Sequence, residues 1–238
     1  MLNSDQLVAH RGLQRCYPEN SLLALQGAAT AGAKFIECDV QLSQDGVFFL
    51  CHDRDLNRLC GVDRLIHELT AAELLQLSLT EHDRFGKQFE SHNFATLSEM
   101  VAWAKTRPDI HFYIELKRGA LISHGMAYCL DILASCIGDQ DNITILSFDR
   151  LAMKKAKEHG IRRAGIVLEH WSNKDEIIDY CEADIVFINK THLHNDKPIS
   201  ASVPIAVYEV VDPTEATELL DRGANLIETF EIDLMLNA

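Results

Sequence analysis

Two histidines, His10 and His52, follow directly on short apolar runs, Leu7 to Ala9 and Val47 to Cys51. Each stands beside a charged residue, Arg11 and Asp53 respectively. Between them, Glu37 and Asp39 flank Cys38; much later, Glu115 and Lys117 flank Leu116. Side chains on a strand alternate between faces, so each of these pairs points to one side. Carboxylates gathered at one place raise each other's pKa, and a divalent cation relieves that conflict. Oxygen donors suit Mg2+ or Ca2+ better than Zn2+, which favours His and Cys. The other use of Glu37, Asp39 and Glu115 is a salt-bridge network with Arg11 and Lys117. Imidazole titrates near neutrality, so one histidine can take a proton while the other gives one. In-line displacement at phosphorus needs such a group on each side, with cations such as Arg11 and Lys117 on the non-bridging oxygens.

These residues need elements that bring them to one place. Apolar runs beginning near residues 7, 35, 111, 143, 163, 185, 205 and 226 read as eight strands, separated by helical patterns. That alternation predicts one domain over residues 1–238, a single (β/α)8 TIM barrel; a doubly wound open sheet is the competing fold. No GxGxxG follows the first strand, which argues against dinucleotide binding. Asp45-Gly46 predicts a hairpin back through Val47 to Cys51, opening a short hairpin and loop excursion after the second strand. Its charged part, Glu81 to His92, reads as a solvated segment placed to act as a lid. Asn20 reads as the N-cap of a helix running to Gly32, Thr70 and Thr96 as caps of two later helices, and Leu121 to Ile137 as one helix. The seventh barrel strand is expected over Ile205 to Val211, after an irregular crossover, Lys190 to Pro204, with His192 and His194 exposed. In a barrel the C-terminal strand ends face the active-site mouth. That rule gathers His10, Arg11, Glu37, Asp39, Glu115 and Lys117.

The net charge of −14 and pI near 5.1 disfavour nucleic acid as a partner. No apolar run reaches the ~20 residues that span a bilayer, and no signal peptide opens the chain. Seven cysteines, an odd number without a CxxC pair, point to free thiols in a cytoplasmic protein. A homodimer is left open.

Taken together the motifs resemble the glycerophosphodiester phosphodiesterases. The match covers His10-Arg11-Gly12, Pro18-Glu19-Asn20-Ser21, Ile36-Glu37-Cys38-Asp39-Val40, Asp45-Gly46-Val47, His52-Asp53, Ile114-Glu115-Leu116-Lys117 and Ser147-Phe148-Asp149. The resemblance implies a TIM barrel that hydrolyses a small glycerophosphodiester to an alcohol and glycerol phosphate with one divalent cation. It places the metal ligands on Glu37, Asp39 and Glu115, the acid and base on His10 and His52, and the phosphate contacts on Arg11 and Lys117. Glu19 falls in the family's active-site loop, although a helix-start role accounts for it equally well. The C-terminal third departs from the pattern: Tyr208-Glu209-Val210-Val211 stands where the family has Trp-Thr-Val-Asn, and Glu228-Thr229-Phe230 where it has Thr-Asp. Glu209 and Glu228 are therefore expected near the leaving group, favouring a cationic or polar alcohol. The competing functions are a phospholipase D-like or phosphoinositide-lipase-like barrel, and a catalytically silent barrel that binds a phosphorylated ligand.

Overall fold

The computed structural model describes residues 2–194 and 197–237. Its strands are β1 (Leu7–Ala9), β2 (Phe35–Leu42), β3 (Phe48–Leu50), β4 (His111–Leu116), β5 (Ile143–Ser147), β6 (Ala164–Leu168), β7 (Val186–Asn189), β8 (Ile205–Tyr208) and β9 (Leu226–Thr229). All except β3 are parallel to their neighbours, and β1 pairs with both β2 and β9, so eight strands close into a barrel. The open-sheet alternative is excluded by that closure. Antiparallel β3 folds back on the far end of β2 through Ser43–Val47, as Asp45-Gly46 predicts.

Helix α1 (Leu22–Ala31) follows β1. Its N-cap is Ser21, whose hydroxyl accepts from the Ala24 N–H; Asn20 adopts a left-handed φ of 55° and does not cap the helix. The excursion after β3 carries three one-turn helices, α2 (Asn57–Cys60), α3 (Ala71–Leu74) and α4 (His82–Phe85), then α5 (Leu97–Ala104). Thr70 and Thr96 close capping boxes with Glu73 and Glu99. The helix expected over Leu121 to Ile137 is two, α6 (Arg118–His124) and α7 (Met126–Ile137). Gly125 takes φ 85° between them, and the pair bends by 117°. No single described helix is long and apolar enough to cross a membrane. The outer ring continues with α8 (Arg150–Ala156), α9 (Lys174–Cys181), α10 (Pro213–Asp221) and α11 (Ile232–Leu236). The crossover before the seventh barrel strand is irregular as expected: its described residues hold one 3-10 turn, Lys190–His192, and no α-helix. Asn195 and Asp196 lie outside the described residues. His192 and His194 are exposed. The strand it leads to, β8, stops at Tyr208 rather than Val211, leaving Glu209 just beyond its end.

Three apolar cores result. The largest lies between the barrel and its helices. A second fills the barrel with Val8, Tyr113, Leu146, Val167, Ile185, Phe187, Ala206 and Leu226. The third belongs to the excursion and contains Phe49, Leu56, Leu59, Ile66, Leu74, Leu79 and Phe94. Each large side chain so buried contributes about 1.5–3 kcal/mol. The segment Glu81 to His92 is largely exposed as expected, with Glu81 and Phe89 as its two buried residues. All seven cysteines are free thiols.

Candidate active site

β1 delivers His10 at its C-terminal end, 7% exposed. The ring stacks on Phe230 at 4.3 Å between centroids, and Nε2 lies 3.8 Å from Glu37 Oε2. Burial, then the Arg11 charge, holds its pKa well below the ordinary histidine value. Arg11 follows with a left-handed φ of 57°. Such a conformation costs about 1–3 kcal/mol outside glycine. It turns the Arg11 N–H onto Glu37 Oε2 at 3.1 Å. The guanidinium lies 3.0 Å from Glu19 Oε1 and 3.2 Å from Asp39 Oδ2. Gly12 is required next: a Cβ there would meet the Ala24 carbonyl carbon at 2.5 Å, a backbone atom that cannot step aside.

β2 and β4 run in register with Asp39 opposite Glu115, which places their carboxylates in one layer. Lys117 Nζ bridges them, 2.9 Å from Asp39 Oδ1 and 2.8 Å from Glu115 Oε1. Asn20 holds Asp39 from behind: its amide donates to Asp39 Oδ2, and its Oδ1 accepts the Asp39 N–H, both at 2.9 Å. Burial pushes the Asp39 pKa up, but the Lys117 and Arg11 charges outweigh it and hold the group below the usual carboxylate range. Glu37 is pushed up by burial and then by Asp39. Glu115 is also raised by burial, partly offset by Lys117. The salt-bridge network weighed from sequence is therefore present. Among the described residues Asp39 Oδ1 has no hydrogen-bond partner besides the Lys117 ammonium. Oxygens of Glu37, Asp39 and Glu115 lie within 4.8 Å of one another, a donor set that fits a hard divalent cation.

His52 comes from the end of the hairpin. Its Nδ1 is 2.7 Å from Asp53 Oδ1. Asp53 sits below the usual range because of that hydrogen bond and Arg58, so it is an acceptor. The Nδ1–H therefore donates, and Nε2 is left for other partners. Arg58 extends the chain of contacts: Nε donates to Asp53 Oδ2 at 2.6 Å, while Nη2 and Nη1 donate to Glu19 at 2.8 and 3.0 Å. Glu81 Oε1 accepts the Glu19 N–H at 2.5 Å and its carboxylate pairs with Arg84. Glu19 thus links Arg11 to the His52 support and does not start the helix. Gln41 donates to the His52 carbonyl at 2.8 Å.

His10, Arg11, Glu37, His52, Glu115 and Lys117 line one cavity of about 140 Å3. Asp39 and Glu19 stand behind it, in contact with Lys117 and Arg11. The opposite wall is Leu146, Phe148, Val167, Phe187 and Tyr208. The two added acids separate. Glu209 is exposed at the rim, whereas Glu228 is 3% exposed on the cavity wall near His10 and Glu37. Sequence reasoning missed Arg58, Asp53 and Gln41 as supports and gave Asn20 the wrong task. A run of charged residues after a strand-end histidine, Asp53 to Arg58, was the available signal.

The protein is thus of the closed (β/α)8 barrel class, with two histidines, paired acids and cations brought to one strand-end cavity. The chain belongs to the glycerophosphoryl diester phosphodiesterase family, which it matches over residues 10–199. A glycerophosphodiester phosphodiesterase of Caldanaerobacter subterraneus is 28% identical over 152 residues, 64% of this chain and 61% of that protein. The matched part is thus under two thirds of that relative's length. The fold is similar to an Oleispira antarctica phosphodiesterase solved in complex with the product sn-glycerol-3-phosphate (TM-score 0.83, 23% identity, 98% of this chain and 95% of that one). It is also similar to the glycerophosphodiester phosphodiesterase of Agrobacterium tumefaciens (TM-score 0.77, 23% identity, 98% and 99%).

Proposed function

We propose that this chain, acting as one domain, hydrolyses glycerophosphodiesters to an alcohol and glycerol phosphate with one divalent cation, Mg2+ or Ca2+. The observation that carries this reading is the convergence of His10, His52, Arg11 and Lys117 on the cavity that Glu37 and Glu115 also line. Family membership and the product bound to the Oleispira relative support the substrate class. Glu37, Asp39 and Glu115 would hold the cation, which when bound polarises a phosphate oxygen. Arg11 and Lys117 orient the phosphate and offset charge on its oxygens. One histidine takes a proton from the attacking oxygen and the other gives one to the departing alcohol oxygen, so the phosphorus–alcohol bond breaks without free alkoxide. His10, neutral by burial, suits the base; His52, held by Asp53, presents Nε2 as the second group. Free thiols fit a cytoplasmic protein, and the acidic surface fits a small substrate rather than nucleic acid.

The test is a panel of glycerophosphodiesters with Mg2+, Ca2+ or EDTA. Glycerol phosphate is released and EDTA abolishes the release. His10→Ala and His52→Ala each lose at least ~100-fold. Full activity in both would overturn the mechanism, and no release with any substrate would leave a silent, ligand-binding barrel. Glu209, at the rim, favours a cationic or polar alcohol. Glu209→Gln therefore lowers the rate ratio of glycerophosphocholine to glycerophosphoglycerol, and an unchanged ratio removes Glu209 from specificity.

A further inference from the structure

We propose that His10, Glu37 and Glu228 form a second cation site, of zinc-type donor chemistry, whose occupation disables His10. One donor atom from each of the three lies within 4.8 Å of the others, and all three residues are buried. Glu228 faces this point from β9, the strand that pairs with β1 with Val8 opposite Glu228. Its Oε1 is buried and has no hydrogen-bond partner among the described residues. The His10 nitrogen recorded beside Glu37 is Nε2, 3.8 Å from Glu37 Oε2. The local cations are engaged elsewhere: Arg11 with Glu19 and Asp39, Lys117 with Asp39 and Glu115. An acid shut away from water with no partner is costly, and a bound cation is a direct remedy.

The donor set separates this site from the one assigned to Mg2+ or Ca2+. Three carboxylates suit a hard ion, whereas an imidazole with two carboxylates is a ligand set used for Zn2+. Glu37 belongs to both sets, so the two sites adjoin. A cation held by the His10 ring takes the lone pair that accepts a proton in the reaction proposed above. Transition-metal binding and proton transfer at His10 are then mutually exclusive, and zinc acts as an inhibitor even when Mg2+ is saturating.

The inhibition rests on the acid–base role proposed for His10; the binding does not. The experiment is equilibrium dialysis of the metal-stripped full chain against ZnCl2 in saturating Mg2+. Wild type is compared with Glu228→Gln and Glu228→Leu, each checked for folding by thermal melting. Zinc on thiols and surface histidines is common to all three and cancels in the difference. Wild type is expected to retain one zinc more than either variant. Zinc inhibits wild-type hydrolysis at concentrations at least ~10-fold lower than it inhibits either variant, each normalised to its own zinc-free rate; even outer-shell changes reach this size in metal affinity. Equal zinc in wild type and a folded variant overturns the site, as does loss of the extra zinc to added Mg2+. Zinc bound through Glu228 with turnover untouched overturns the disabling of His10. If no glycerophosphodiester is turned over at all, the proposed function falls and the dialysis difference still decides the site.

Discussion

The inner face of β1, β2 and β4 leads to His10, Glu37, Asp39, Glu115 and Lys117, whereas that of β5 to β8 carries Leu146, Val167, Phe187 and Ala206. One wall is a lattice of opposite charges held at 2.8–3.2 Å. The other is apolar, and its Phe187 ring meets Tyr113 of β4 edge-on at 5.0 Å. The difference teaches how the work is divided. A dry wall strengthens every charge facing it, because low polarity weakens screening. It also carries stability, since buried ion pairs are weak stabilisers once desolvation is counted. Glu228 breaks the pattern, an acid on the strand that joins the two walls.

The division is broken most sharply by one substitution on each side. Lys117→Met is expected to lower kcat/KM by ~100- to 1000-fold, as for loss of a donor to a developing oxyanion, and to lower the melting temperature too, because Asp39 and Glu115 lose the cation between them. Phe187→Ala should cost stability alone: about 3–5 kcal/mol in urea unfolding, with activity per folded molecule nearly retained. If Phe187→Ala abolished activity while staying folded, the walls would not be separable. Smaller is Arg58→Met, which removes the link between Asp53 and Glu19. We expect kcat to fall ~10-fold with KM little changed, and Arg58→Lys to recover little, because a lysine cannot reproduce the bidentate fork.

The effect on activity is smallest at the far end of the barrel, where His111 is 2.8 Å from Thr144 Oγ1. Burial, then the Arg163 charge, pushes its pKa down to about 4. The unfolded chain therefore binds the extra proton first. The contribution is complete above the ordinary histidine value near 6.5 and is lost as pH falls toward 4. Between pH 7 and pH 5 the loss amounts to roughly 2 kcal/mol. His111→Gln should flatten the fall in melting temperature between pH 7 and pH 5, and an unaltered pH dependence would assign that fall to other groups.

Much of this was legible in the residues. Polar groups at the ends of apolar runs, spaced by two, mark His10, Glu37, Asp39, Glu115 and Lys117, because strand periodicity is local. The closed barrel was legible too, from alternation of strand and helix. What escaped is non-local. Asn20 looks like a cap, yet the fold turns it to Asp39, nineteen residues on in sequence. Glu81 reads as a solvated charge and Arg58 carries no assigned role, yet both reach Glu19. Gly125 lies inside a continuous apolar periodicity, and only its positive φ reveals the break. Glu228 could be placed near the mouth, but its depth depends on how β9 meets β1.

The excursion has its own small core, joined to the barrel's first loop by Glu81 and Arg58. His52 therefore stands where the excursion's core meets the barrel. Segments with few buried apolar contacts open at lower free energy than the fold as a whole. Under rising denaturant, hydrolysis should then fail while the far-ultraviolet circular dichroism of the barrel is still native. The proposed activity would then be lost with the excursion, before the barrel melts.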